Sequence, residues 1–259
     1  MRVGGAFVLA VGNRKGGTGK TTTSVNLAAE VAARGLDTLL IDLDTQGHAA
    51  VGLGVAAPAK GEPTVHCLFD GRVAHLRDAI VPTGHDRLSM VRADPLYDGI
   101  GGNAQPTLIA QRLRDEGLLD AYRLIVIDTP PSLDPLLMNA VAAANGMLVP
   151  LTPHPLGMDG VRQLTRLLFR IGGTVNPDLR LIGLLPIMLD LRIRLHLDTV
   201  ADMERGFGAN RVLNGVRADI KLAEAFRDGK PIRDYAPRSR GAVDYAMLAD
   251  DLIRGWALG

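Results

Sequence analysis

The sequence predicts an α/β protein, with one doubly wound, mostly parallel sheet and helices on both faces. Three observations lead there. Short β-prone runs alternate with helix-length segments from end to end, the runs are apolar on both faces, and no Pro/Gly/Ser-rich linker or charge block divides the chain. A strand with no polar side has no face for water, so it belongs in a parallel sheet covered twice.

Taken in order, 6–11 reads as a buried strand and 21–34 as a helix closed by Gly35. A second strand is expected over 38–43, a short one near 88–92, and a third long one over 124–128, LIVID. Two more follow at 147–151 and 181–188. Helices are expected at 107–116, 136–144, 157–170, 199–205 and 242–254, while 71–102 is otherwise loop. There is no internal repeat. The expectation is a single domain over 1–259, with no N-terminal helix-turn-helix domain before the first strand.

Bulk properties exclude several classes. A formal net charge of +1 gives no strong field for attracting nucleic acid or anionic lipid to the molecule as a whole. The single cysteine, Cys67, rules out an internal disulfide and a cysteine-only metal site, and reads as a buried small hydrophobe. The histidines are scattered without metal-ligand spacing. No signal peptide or membrane-length apolar stretch is legible, so a soluble cytoplasmic protein is expected.

The strongest chemical signal is Asn13-Arg14-Lys15-Gly16-Gly17-Thr18-Gly19-Lys20-Thr21-Thr22, set between a strand and a helix. Glycines let successive N–H groups turn toward phosphate oxygens, and the helix N-terminus adds about half a positive charge. Lys20 would reach the β- and γ-phosphates of ATP, and the Thr21 hydroxyl would ligate Mg²⁺. The run departs from G-x-x-x-x-G-K-[ST] at its first glycine, where Arg14 stands, and it carries an added lysine, Lys15.

Two carboxylate motifs follow at strand ends, Asp42-Leu43-Asp44-Thr45-Gln46-Gly47 and Asp128-Thr129-Pro130-Pro131. Acidic groups at the carboxyl edge of a parallel sheet suit Mg²⁺ beside a phosphate loop. Asp128 is assigned to hold Mg²⁺ through water, Asp42 to the metal's water shell, and Asp44 to positioning or deprotonating the attacking water. Period-two alternation would turn Asp42 and Asp44 to the same side.

These motifs resemble the ParA/Soj-type ATPases of the deviant Walker A group, which also includes MinD, within the P-loop NTPase fold. The resemblance rests on KGGTGKTT, DLDTQG and VIDTPPSL, and on a C-terminal stretch: Asp219-Ile220-Lys221-Leu222-Ala223-Glu224-Ala225, Gly229-Lys230-Pro231-Ile232 and Pro237-Arg238-Ser239-Arg240-Gly241-Ala242. Thr45 and His48 stand where the family usually has Pro and Asn.

The resemblance implies a homodimer in the ATP state, with Lys15 of each chain reaching the phosphates held by Gly16, Gly17, Thr18, Gly19, Lys20, Thr21 and Thr22 of the other. It implies adenine near Met188, Arg217 and Asp219, whose carboxylate could accept from the adenine amino group. It also implies non-specific double-stranded DNA as a track, with Arg192 and Lys221 matching DNA-contacting positions. A ParB-like or adaptor protein would stimulate hydrolysis, so that a chromosome, plasmid or protein assembly is positioned on the nucleoid. Basic residues support this modestly: from residue 160 onward there are 16 Lys+Arg against 12 Asp+Glu.

Two other classes fit the sequence less well. A MinD-like membrane-associated regulator needs a basic amphipathic C-terminus, and 250–259 has two acids and one base interrupted by glycine. A metabolic enzyme on the same fold, a nitrogenase-type reductase or an ATP-dependent ligase, lacks respectively the cysteines and a substrate motif.

Overall fold

The computed structural model describes residues 5–99, 105–132, 134–154, 161, 165, 175–177, 179 and 181–255. Its strands are β1 (Phe7–Val11), β2 (Thr38–Asp42), β3 (Ile80–Pro82), β4 (Leu88–Val91), β5 (Leu124–Asp128), β6 (Gly146–Leu151) and β7 (Leu181–Pro186). They form one seven-stranded sheet in the order β3-β4-β2-β5-β1-β6-β7. Every pairing is parallel except β3 with β4. The six expected strands are all present. The short antiparallel β3 was not foreseen: it is three residues long, ends in Pro82, and sits at the sheet edge where proline is tolerated.

The described helices are α1 (Lys20–Ala32), α2 (His48–Gly52), α3 (Leu108–Asp115), α4 (Leu118–Ala121), α5 (Pro135–Ala143), α6 (Arg194–Phe207), α7 (Ile220–Arg227), α8 (Ile232–Tyr235) and α9 (Arg240–Gly255). The helix expected over 157–170 lies largely outside the described residues. That expected over 199–205 begins five residues earlier, at Arg194. Only Thr199 and Met203 of α6 are buried, whereas Leu195 and Leu197 face outward, so periodicity marked only its buried half. Helices α2, α4, α7 and α8 were not anticipated. Each is too short for an apolar stripe to repeat convincingly.

Alternation within each strand builds two apolar layers. Val8, Ala10, Ile125 and Ile127 pack on one face with Ile109 and Leu113 of α3 and Val141 of α5. Leu9, Val11, Leu124 and Val126 pack on the other with Val25 and Leu27 of α1 and Tyr245 and Leu248 of α9. Both faces are therefore covered, as the doubly apolar strands require.

Capping fixes several helix starts. The Asp134 side chain accepts from the amides of Leu136 and Leu137, with Pro135 in the first turn of α5. Asp219 does the same for α7 through the amide of Lys221.

Helix α2, which follows the Asp42–Asp44 segment, meets α7 through glycine. A Cβ on Gly52 would lie 3.1 Å from the Phe226 ring, and one on Gly54 would lie 2.7 Å from the Gly229 carbonyl oxygen. Gly54 also holds φ at +66°, a conformation costly for any side chain. Gly54→Ala should therefore lower stability by about 1–3 kcal/mol, read as a reduced urea midpoint with an unchanged m-value. An unaltered midpoint would mean that the contact is not held in solution.

Candidate functional site

The parallel register brings three strand ends together. Asp128 is the partner of Val11 on one side and of Asp42 on the other, so the two aspartates stand side by side where β1 runs out into the 12–19 loop. This edge lies where strand order reverses on either side of β1, the position at which open α/β sheets leave a crevice.

Local bonds shape the loop. Asn13, buried, donates from Nδ2 to the Pro150 carbonyl at 2.7 Å, tying the loop to β6. Its Oδ1 accepts from the Lys15 amide at 3.3 Å, and the Thr18 hydroxyl donates to the Lys15 carbonyl at 3.1 Å. The backbone is pinned while the Lys15 side chain stays exposed. Gly19 caps α1 in the left-handed conformation (φ +66°) with no side-chain acceptor over the first amides. The first intrahelical bond is Thr23 N–H to Gly19 O, so the amides of Lys20, Thr21 and Thr22 open outward as an anion site.

A phosphate chain fits this cradle. A Cβ built on Gly16 or Gly17 would meet nothing within 4 Å, leaving room directly over the loop. Lys20 is 7% exposed, and among the described residues no carboxylate comes within ion-pair distance of it. Its charge acts on Asp128 only from beyond ion-pair distance, so the buried ammonium is still open to an anion.

The carboxylates differ in how they are held. Asp128 Oδ2 accepts from the Thr21 hydroxyl at 2.7 Å and Oδ1 from the Ser24 hydroxyl at 2.9 Å. Burial first, with the nearby Asp44 charge, pushes its carboxyl up to about 6 against those two hydroxyls and the Lys20 charge, which lower it. Asp42 is also fully buried, and burial first, then the Asp128 charge, pushes it well above the usual carboxylate range. Its two oxygens accept from the amides of Asp44 (3.0 Å) and Ala49 (3.1 Å). The Thr21 hydroxyl, with Asp128 and Asp42 behind it, is a hard oxygen set suited to Mg²⁺. Asp44 stands past the end of β2, half-buried, with Oδ1 accepting from the Gln46 amide at 3.1 Å. It is thus set on a turn, since β2 stops at Asp42 before strand alternation can place it.

The expected adenine residues gather at the end of β7. Ile187 Cδ1 would lie 2.9 Å from a Cβ on Gly19, so this end abuts the phosphate loop. Met188 follows with φ +52° and is 51% exposed. Beside it a groove of about 350 Å³ is bordered by Leu189, Asn214, Gly215, Arg217 and Asp244. Arg217 is clamped on Asp244 through Nε and Nη2, the latter at 2.7 Å. The Asp219 oxygens are engaged by the amides of Lys221 and Gly241 at 3.0 and 2.9 Å. Burial would raise this carboxyl, but those amides outweigh it and hold it below the usual range. Asp219 therefore joins the starts of α7 and α9.

Arg192 and Lys221 are on the surface and locally paired. Arg192, with its side chain 88% exposed, binds Asp190 through Nη2 at 2.7 Å, and Lys221 Nζ meets Glu224 at 2.7 Å. Sequence reading missed Ser24, which lies three residues after Thr21 and so on the same helix face. It also missed Tyr245, whose buried hydroxyl bonds Thr23 at 3.2 Å, and Asn26, which links the Thr22 carbonyl to the Ile232 amide at 2.8 and 2.7 Å.

With this geometry in view, similarity to known proteins is informative. A family model described as an AAA domain matches residues 6–181. The chromosome-partitioning ATPase Soj of Thermus thermophilus is 39% identical, covering 95% of this chain and 94% of that protein. Among solved structures, cobyrinic acid a,c-diamide synthase from Mycobacterium smegmatis, with bound ADP and magnesium, is 29% identical with a TM-score of 0.81, covering 97% and 96%. The septum site-determining protein MinD of Pyrococcus horikoshii, complexed with Mg-ADP, shares the fold at a TM-score of 0.80 and 21% identity, covering 98% of both chains.

The buried aspartates lead to a pH prediction. Below about pH 4 Asp128 is protonated in both the folded and unfolded states. Between about 4 and 6 only the unfolded chain loses the proton, so stability falls as pH rises through that window. Asp128→Asn should stabilise the nucleotide-free protein at pH 7.5 by ~1–3 kcal/mol, a gain that vanishes below about pH 4. Thermal melts across that range test it, and equal melts at pH 7.5 would refute the penalty.

Proposed function

The chain belongs to the ParA/Soj family of partition ATPases, and we propose from this premise that it is an ATP-switched positioning protein. In this reading two chains dimerise around ATP, bind DNA without sequence preference, and are stimulated to hydrolyse by a ParB-like or adaptor partner. Release from DNA then moves a chromosome, plasmid or protein-assembly cargo. We read 1–259 as one such ATPase domain, acting on the nucleoid.

The observation that carries the proposal is the exposed Lys15 on a backbone pinned by Asn13, above a cradle open at Gly16 and Gly17. A lysine side chain that is exposed, and that no ion pair among the described residues engages, is suited to reach the partner's phosphates beside a triphosphate site. Charge supplied from a second protomer acts like an arginine finger, stabilising the charge that develops on the transferred group.

Within one chain the roles follow from position. The uncapped amides of 20–22 and the Lys20 ammonium bind and orient the phosphates. Thr21 and, through water, Asp128 and Asp42 would hold Mg²⁺, which when bound would neutralise charge on the phosphate oxygens. Asp44, half-buried on its turn, would orient the attacking water. Among the described residues none at this site offers a strong base, so basal hydrolysis should be slow. Met188 and the groove beside Arg217 form the proposed adenine side, with Asp219 setting the segment's position.

The DNA surface is supported by Arg192 and Lys221 together with the surplus of basic residues in this half. Their pairing with Asp190 and Glu224 is at the surface, where such pairs are weak and easily exchanged for phosphate. Four contacts per dimer give a slope of roughly −3.6 for log K against log salt.

Other readings have less support. Among the described residues no helix is long and apolar enough to cross a membrane, and the last turn of α9 pairs Asp251 with Arg254 rather than presenting a basic face. The M. smegmatis synthase raises a ligase reading, but the full-length partition relatives are the more similar in sequence.

Three variants test the proposal. Lys15→Ala should bind ATP with near-normal affinity yet stay monomeric at saturating nucleotide in light scattering, whereas dimerisation would remove Lys15 from its role. Asp44→Ala should dimerise on ATP and remain on DNA with hydrolysis reduced by at least about ten-fold, and unchanged turnover would exclude it from handling water. Lys20→Ala should abolish ATP binding, and retained tight binding would sink the phosphate-loop assignment.

A further inference from the structure

Asp128 is clamped by two hydroxyls, only one of which belongs to the phosphate-loop motif. Thr21 donates to Oδ2 and Ser24 to Oδ1, at 2.7 and 2.9 Å. The two donors are three residues apart on α1, hence neighbours on one face. Ser24 and Asp128 are both fully buried, so no water can substitute for either. The Ser24 hydroxyl also lies 3.1 Å from the Lys20 carbonyl. It has one proton to give, and a carboxylate is the stronger acceptor.

This arrangement settles more than the aspartate. A carboxylate held at one oxygen can swing, because the terminal torsion of aspartate is broad. Held at both, its plane is fixed. Thr21 must then direct its own proton to Oδ2, which leaves its oxygen lone pairs turned away from Asp128. We propose that Ser24 is a positioning residue for Mg²⁺: by fixing the Asp128 carboxylate it fixes the Thr21 oxygen in the orientation that accepts the cation. Ser24 does not touch nucleotide or metal itself. The inference rests on reading this site as one for Mg²⁺–nucleotide.

The test measures binding rather than turnover. A fluorescent ADP analogue is titrated into the protein in EDTA, and Mg²⁺ is then titrated into the protein with the analogue present. Ser24→Ala should bind the analogue in EDTA as the wild type does, but need about ten-fold more Mg²⁺ to reach its half-maximal Mg²⁺-dependent signal. Ser24→Thr, which restores the hydroxyl, should return the midpoint to within a few-fold of wild type. If its extra methyl prevents folding, the Ser24→Ala titration decides alone. An unchanged Mg²⁺ midpoint in Ser24→Ala overturns the proposal, as does an equal loss of affinity with and without Mg²⁺, the mark of a purely structural role. A wild-type protein that binds no nucleotide would instead overturn the reading of the site.

Discussion

Two carboxylates buried side by side at the edge of a parallel sheet are the constraint around which this molecule is organised. Asp42 and Asp128 are register partners on adjacent strands, and neither sees solvent. Such a pair is unfavourable on its own, since each lacks hydration and repels the other. Hydroxyls of Thr21 and Ser24 and amides of Asp44 and Ala49 offset part of that cost. The remainder is a standing demand for positive charge, and Lys20 and an incoming divalent cation are the groups placed to answer it.

The same contacts decide the local architecture. Because Asp128 takes hydroxyls from two turns of α1, the phosphate-loop helix is keyed to β5 as well as to β1. Because Asp42 takes the Ala49 amide, the start of α2 is keyed to the end of β2. Helix α2 in turn meets α7 at Gly52 and Phe226, and its exit loop meets the α7–α8 turn at Gly54 and Gly229. The α7–α8 region is thus in contact with the helix that follows the acidic segment after β2.

A second path runs through α1. Asn26 joins the Thr22 carbonyl to the Ile232 amide, and Thr23 meets the Tyr245 hydroxyl inside the core. The C-terminal motifs therefore do structural work that their sequence does not advertise. Asp219 ends up as a double cap for α7 and α9, and Arg217 as the clamp on Asp244.

What the sequence determined by itself was the layered sheet and the phosphate loop. Runs such as LIVID admit only a strand buried on both faces, and the KGGTGKTT stretch holds its chemistry in consecutive residues, so neither needs distant information. The edge strand at Ile80–Pro82, the short helices around Gly52 and Phe226, and the outward-facing start of α6 lacked a repeating apolar stripe and could not be read. Tertiary structure alone decided that Asp128 lies beside Asp42, that Ser24 completes its clamp, and that Asp219 is taken up by two amides. Those facts depend on strand register and on which polar groups are left without water, and both arise only when separate elements of the chain are packed together.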